Sequence, residues 1–378
     1  MVNFKFEYME LENIQSTNMQ PKRSKKEQIG ISFLVLSLIK KLRKLKYVKI
    51  IEFNLKAYAS LFYYLFKLRC FSENRIVIKL RLQHLISHFL AQDLSGKSFY
   101  SNPTVLVDHS STKYFLRVTN NAFYPAADKF GNWRIDGDGQ DIKNGLLMLV
   151  VDEVDKKKTF STVIDMEGPP CLEDSRVFIS ENKEFMVSTL VESSRISGGS
   201  WKSSVGVFDL ESKVLYVIPS PFGKRIEKNW IPFESNKRDG YIYLIYRSDP
   251  LCIVKLNLKT KKLNLLHGPP SNKPRLNGGS QAVLLNNGNY IRVARRKYAW
   301  PKYGWIYFNY FVLHNPNFEE ISRSKPFIFE QLGIEICNGL ALNGGDLILS
   351  WAKNERMVYT SKIPLNCVLS DFENLAQN

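Results

Sequence analysis

The sequence predicts an all-β fold, a five-bladed β-propeller preceded by a basic α-helical N-terminal region. Three observations lead there. From about residue 97 onward the chain reads as short strands of alternating hydrophobicity bounded by Gly, Asn, Pro and Asp, the texture of antiparallel sheet. Within that stretch one unit recurs five times, a polar opening segment followed by two apolar strands. The first apolar strands, residues 114–118, 184–188, 241–246, 289–293 and 346–350, start about 50 to 70 residues apart, the spacing of propeller blades rather than of a solenoid. The opening segments, finally, are polar where a buried strand should be apolar, and the innermost strand of every propeller blade faces the central cavity. All five are therefore expected to converge on one place.

The 378 residues suffice for one large all-β domain with an extension, or for two domains. Apolar residues make up 44% and aromatics 13%, enough to build a sizeable core and to exclude wholesale disorder. The formal net charge of +17 is unevenly spread: residues 1–97 hold 18 Lys/Arg against 7 Asp/Glu. The five cysteines (Cys70, Cys171, Cys252, Cys337, Cys367) are far apart and odd in number, so they form neither a disulfide framework nor a zinc site. They are expected to be reduced and buried as small hydrophobes, in a cytoplasmic protein.

Residues 1–28 are polar and charged, ending near Pro21-Lys22-Arg23-Ser24-Lys25-Lys26, and are expected to be flexible. In the helical extension expected over 29–96, residues 29–94 contain no proline and one glycine, and Leu55, Tyr58, Ala59, Phe62, Tyr63 and Phe66 make an amphipathic helical stripe. Two readings stand for its basic helices. They dock the protein on an anionic membrane surface or a partner enzyme, or they pack on the propeller with their lysines solvated. The apolar run at 29–39 is too short for the roughly 20 residues of a membrane span. Lys40-Lys41-Leu42-Arg43-Lys44 follows it in place of a small-residue cleavage site, so no cleavable signal is expected.

The propeller itself is placed at 97–368, with a C-terminal tail at 369–378. Second apolar strands at 146–150, 204–208, 251–256, 308–313 and 357–360 support the division into blades. Turns such as Asp209-Leu210-Glu211-Ser212-Lys213 and Asn257-Leu258-Lys259-Thr260-Lys261 lead toward outer strands, where lysines discourage edge-to-edge pairing.

The opening segments carry the chemistry. Blade one opens with Ser101-Asn102-Pro103-Thr104, and its next strand ends at Arg117; blade two opens with Glu173-Asp174-Ser175-Arg176. Blade three has Glu227-Lys228-Asn229-Trp230-Ile231-Pro232-Phe233, then Tyr246-Arg247-Ser248-Asp249. Blade four has Arg275-Leu276-Asn277-Gly278-Gly279-Ser280-Gln281, then Arg292, Arg295, Arg296 and Lys297. Blade five has Glu335-Ile336-Cys337-Asn338-Gly339, and later Lys353-Asn354-Glu355-Arg356. Any one of these could be a turn with solvated charges. Buried charges are costly unless paired, however, so five segments in phase imply a wet, functional cavity. Carboxylates and amides hold sugar hydroxyls, aromatic faces such as that of Trp230 stack on pyranose rings, and arginines grip phosphate. The expected ligand is an oligosaccharide or glycan.

These motifs resemble the five-bladed β-propeller glycosidase and phosphorylase superfamily, most closely the β-mannoside phosphorylases of glycoside hydrolase family 130 and mannosyltransferases of the same fold. The resemblance rests on Asn102-Pro103, on Glu173-Asp174-Ser175-Arg176 where the family has Glu-Asp-Pro-Arg, and on the blade-three and blade-four motifs. The last two also resemble a bacterial subgroup linked with surface-polysaccharide synthesis. The resemblance implies that Asp174 is the general acid and that inorganic phosphate or a sugar phosphate is the co-substrate, with no other cofactor. Inverting hydrolysis would need a second carboxylate roughly 6.5 to 9.5 Å away, for which Glu227 and Glu335 are the candidates. Arg176, Arg247, Arg292 and Lys228 are candidate phosphate ligands; Asn102, Arg117, Glu173, Asn229, Trp230, Asp249, Ser280, Gln281 and Asn338 complete the binding set. Ser175 departs from the family's proline, which keeps open a propeller that binds glycan without turning it over, for example in surface-polysaccharide assembly.

Other signals are weaker. His84 and His88 lie four apart on an expected helix without the companions of a metal motif. Asp136-Gly137-Asp138-Gly139-Gln140-Asp141 lacks the spacing and terminal Glu of a calcium loop. No metal site is expected. No nucleic-acid module accompanies the basic arm, so nucleic acid is not an expected partner.

Overall fold

The computed structural model describes residues 5–8, 10–11, 78–81 and 99–376, apart from 109, 120–121, 126–132, 137–143, 153–154, 156, 167–170, 194–201, 225, 236–238, 269–275, 301–303 and 356. Five antiparallel blades follow one another along the chain. Blade one comprises Phe99–Val107, Ser111–Thr119, Asn144–Asp152 and Lys158–Met166, with a small hairpin, Ala122–Pro125 and Trp133–Asp136, between its second and third strands. Blade two comprises Cys171–Ser180, Lys183–Ser193, Lys202–Asp209 and Val214–Ile218; blade three comprises Ile231–Pro232, Tyr241–Ser248, Leu251–Asn257 and Lys262–His267. Blade four runs from Asn277–Gly279 and Val283–Leu284 through Tyr290–Trp300 and Gly304–His314 to Glu320–Arg323. Blade five contains Glu335–Asn343, Asp346–Lys353 and Met357–Pro364.

The predicted second and third strands coincide with these elements, with only Asn289 of the 289–293 run falling just outside, because each is an apolar run packed on both faces. Apolar side chains of neighbouring blades interdigitate: Phe178 and Val207 pack with Leu244 and Val254, and Phe311 and Val293 pack with Trp351 and Leu349. Burying such a side chain contributes roughly 1.5–3 kcal/mol, so the ring is held mainly by its inter-blade seams.

The described parts of the N-terminal region are strands. Lys5–Tyr8 pairs in parallel with the outer edge of blade two, and Glu10–Leu11 with that of blade three. Ile78–Arg81, inside the segment expected to be helical, pairs antiparallel with Met357–Pro364 as the outermost strand of blade five. Its alternation of Ile78 and Leu80 with Lys79 and Arg81 is the period of a strand, which a helical reading of the whole segment overlooked. The rest of the expected helical extension, with the apolar run and His84 and His88, lies outside the described residues, as does any docking surface on it.

The C-terminal boundary also moves. Leu365–Ala376 is a helix that spans the expected end of the propeller and the expected tail. Leu365, Val368, Leu369 and Phe372 recur at helical spacing and pack on the blade four and five core. Among the described residues no helix is long and apolar enough to cross a membrane. Cys171, Cys252 and Cys337 are buried free thiols, and burial pushes Cys252 and Cys337 up to about 12.

Candidate functional site

Four of the five inner strands break register near their start, between Ser101 and Thr104, Glu173 and Arg176, Asn277 and Gly279, and Cys337 and Gly339. A bulge of this kind re-aims side chains that would otherwise alternate in and out of the sheet. At or beside each break, and ahead of the short inner strand of blade three, sits a residue suited to left-handed backbone: Asn102 (φ 46), Asp174 (φ 50), Asn229 (φ 62) and Gly278 (φ 49). Asn, Asp and Gly tolerate this conformation better than other residues do. Asn338 occupies the matching break in blade five. Glycine is required at 278 for a second reason: a Cβ there would lie 2.9 Å from Arg295 Nη2 and 3.0 Å from Asn229 Oδ1.

The side chains released by these breaks meet around Asp174. Asn102 Nδ2 and Asn338 Nδ2 donate to Asp174 Oδ1 at 3.1 and 3.2 Å, and Arg295 Nη2 lies 3.7 Å from Oδ2. Arg295 also donates to Asn338 Oδ1 and Asn229 Oδ1, both at 3.3 Å. Beneath them Arg176, 1% exposed, crosses between blades: Nε donates to Gly279 O at 2.6 Å, Nη1 to Asp174 O at 2.6 Å and Nη2 to Asn229 Oδ1 at 3.5 Å. Gln281 closes the axis below, donating to Val105 O of blade one at 2.9 Å and to Leu340 O of blade five at 2.5 Å. Ser280 is fully buried and accepts the Val293 amide at 2.9 Å.

Above this floor the cluster reaches solvent. The side chains of Asp174 and Glu173 keep 16% and 24% of their exposure, and Arg117 Nη2 stands 3.7 Å from Glu173 Oε1. Lys228 is exposed beside them, and its charge acts on both carboxylates. Glu355, half-buried in the turn after the second strand of blade five, and Tyr307 of blade four feel the same charges.

The three carboxylates are electrostatically unequal. Burial works against ionisation of Asp174, yet Arg295, then Arg176 and the Asn338 amide, outweigh it and hold its pKa below the ordinary value. Burial raises Glu173, with Arg117 opposing. Burial, then the negative charges of Asp174 and Glu173, push Glu355 up to about 7. The site thus holds one carboxylate that stays ionised beside one that carries a proton near neutrality, a separation typical of groups with different chemical roles.

The other expected residues lie elsewhere. Glu227 is 2% exposed, and its carboxylate accepts from Ser220 Oγ at 2.5 Å, Tyr246 OH at 2.9 Å and Trp230 Nε1 at 3.2 Å. Trp230 is buried against Tyr246 and offers no open ring face, while Arg247 lies over the Tyr246 ring at 5.2 Å. Glu335, fully buried, accepts the backbone amides of Phe329, Glu330 and Gln331, so it organises a loop. Arg292, also fully buried, donates from Nε to His314 Nε2 at 3.0 Å, and Asp249 pairs with Arg323 at 3.4 Å. None of these partners belongs to the Asp174 cluster. Sequence reading had singled out neither Arg295 nor Glu355 as site residues. Arg295 was visible in the sequence as one of four cations following the blade-four opening segment, and only its pairing with Asn277 at the Gly278 break sets it apart from Arg292, Arg296 and Lys297.

No family model matches the chain, and no curated protein matches it in sequence. Solved structures do. The chain is similar to a β-1,2-mannobiose phosphorylase from Listeria innocua in complex with β-1,2-mannobiose, with 13% identity and a TM-score of 0.53 over 79% of this chain and 99% of that one. It is also similar to a glycosyl hydrolase from Bacteroides ovatus, with 11% identity and a TM-score of 0.50 over 71% and 84% of the two chains. At these identities the likeness is one of fold, the five-bladed propeller. It agrees with the resemblance carried by the opening segments.

Proposed function

We propose that the protein acts on glycosidic bonds at the Glu173–Asp174–Glu355 cluster, by phosphorolysis or by transfer of a glycosyl group. The observation that carries this reading is the convergence of three partly accessible carboxylates with Arg117 and Arg295, two of the carboxylates, Glu173 and Asp174, being carried by the register break of the blade-two inner strand. Sugar hydroxyls are bound by carboxylates and amides, here Asp174, Asn102 and Asn229, and the fold is one that the Listeria innocua mannobiose phosphorylase uses on a β-mannoside. Arg117 and Lys228 beside Glu173 suit a phosphate co-substrate.

In this scheme Asp174, held ionised, orients the sugar, and Glu355 delivers the proton that the resemblance assigned to Asp174. The Glu355 carboxyl protonates the glycosidic oxygen as the bond from C1 breaks, a phosphate oxygen bonds to C1, and the proton of the incoming hydrogen phosphate returns to Glu355. Sugar 1-phosphate and a free sugar leave. An acid of this kind must be protonated, so kcat/KM should fall as pH rises above about 7. Glu355→Gln should remove that limb and lower kcat by roughly 100-fold or more. The test is a screen of manno- and gluco-disaccharides with and without phosphate, reading sugar 1-phosphate and free sugar separately. A limb unchanged in Glu355→Gln would overturn the assignment of the acid role to Glu355.

A second reading is glycan binding without turnover, as in an assembly protein of surface-polysaccharide synthesis. What favours it is that both oxygens of Asp174 are already engaged by side chains of other blades. Sugar binding without product from any donor or acceptor would select it.

A further inference from the structure

Blade four carries a longer hairpin than its neighbours. Its second and third strands have 11 residues each, against 8 and 7 in blade three and 8 and 8 in blade five. Pairing continues without a break from Tyr290↔His314 to Trp300↔Gly304, whereas the inner strand pairs no further along than Arg295. The hairpin therefore continues beyond the inner strand at the end of the ring where Asp174 lies.

Paired residues of an antiparallel ladder share a face. The pairs Arg295↔Asn309 and Lys297↔Tyr307 thus extend the face on which Arg295 meets Asp174. Lys297 is exposed, its Nζ 3.7 Å from the centroid of Trp305 and 5.9 Å from that of Tyr307. The indole holds the ammonium in place before any ligand arrives, which reduces the entropy lost on binding. Among the described residues no carboxylate lies within ion-pair distance of this ammonium. Its nearest charged influences are mostly cationic: partial burial, then Lys228 and Arg295, lower its pKa to about 8, with Glu355 opposing. A positioned cation crowded by other cations is relieved by an anion.

We infer that Lys297, held by Trp305 and backed by Lys228, forms a subsite for an anionic substituent on the glycan, a carboxylate or phosphate on a sugar next to the bond held at Asp174. The inference rests on the reading of the Asp174 cluster as a glycan site. It names the substrate class as acidic oligosaccharide rather than neutral mannoside or glucoside.

The test compares binding of neutral β-linked disaccharides with counterparts oxidised to a C6 carboxylate or phosphorylated at C6. Titration calorimetry is performed on the full chain and on Lys297→Met and Lys297→Arg, with inorganic phosphate as a separate titrant. The acidic sugars should bind at least about 10-fold more tightly below pH 7. That ratio should collapse in Lys297→Met, survive in Lys297→Arg, and diminish in the wild type as pH rises past about 8. Preference for only one of the two anionic groups would identify which of them the subsite takes. Equal binding of neutral and acidic sugars overturns the subsite and leaves the glycan reading standing, whereas failure of every sugar to bind overturns both. A preference that persists in Lys297→Met, or a Lys297-dependent response to inorganic phosphate alone, also overturns it by assigning the anion to another group or the lysine to the co-substrate.

Discussion

Two sets of acidic residues, drawn from overlapping blades, meet opposite environments. Glu227 and Glu335 are the more buried, 2% and 0% exposed, and each carboxylate is surrounded by neutral donors from its own segment or blade: hydroxyls and an indole for Glu227, three successive amides for Glu335. Glu173, Asp174 and Glu355 are more accessible and are surrounded by charges brought from other blades. The difference teaches that burial of a carboxylate does not mark a site. A carboxylate satisfied locally organises its own loop, whereas one that depends on distant charges belongs to a place assembled by the whole ring, where pKa values diverge.

The comparison can be broken most forcefully from beneath. Arg176 links blade two to blades three and four, and Arg176→Met should remove those buried links and one of the two arginine countercharges of Asp174, at a cost of about 3–5 kcal/mol, read from urea denaturation. If the loss is below 1 kcal/mol, the cluster is not what ties the blades at the axis. Glu335→Ala should cost about 3 kcal/mol, because three partly buried amides lose their acceptor, and should do so without altering the pH profile of any turnover. Glu227→Gln keeps one acceptor oxygen and should cost only about 1–2 kcal/mol.

Glu355 should behave in the opposite sense. Its folded pKa of about 7 exceeds the ordinary glutamate value of 4.5, so between those values the native state holds more proton than the unfolded chain and stability falls as pH rises. Glu355→Gln should flatten that fall and, after allowance for its partial exposure, gain about 1 kcal/mol at pH 8. A loss of stability at pH 8 would place Glu355 among the structural carboxylates. The smallest effect is expected at the inter-blade pair Lys113–Glu184, 2.5 Å apart and partly exposed, where Lys113→Met should change stability by less than about 1 kcal/mol.

Particular residues show where sequence reading succeeds. Period-two apolar runs such as Tyr114, Leu116 and Val118 locate the strands, and their recurrence sets the number of blades. Asn102, Asp174, Asn229, Gly278 and Asn338 were visible as polar or glycine residues in phase, because a left-handed or bulged backbone restricts the residue types that can stand there. The helix at Leu365–Ala376 was missed although its spacing was present, and Ile78–Arg81 was hidden inside a longer helical pattern.

By itself, then, the sequence determined the architecture and the kinked positions of the inner strands, since both follow from local rules of alternation and backbone sterics. Only the tertiary structure decided which charges meet. Arg295 and Glu355 come to Asp174 from blades four and five, more than a hundred residues away in the chain, while Glu227, Trp230, Gln281 and Arg292 turn into the seams and the axis. The reason is physical. Strand alternation fixes the face on which a side chain lies, but whether that face meets a neighbouring blade or the open end of the ring depends on where closure of all five blades places it.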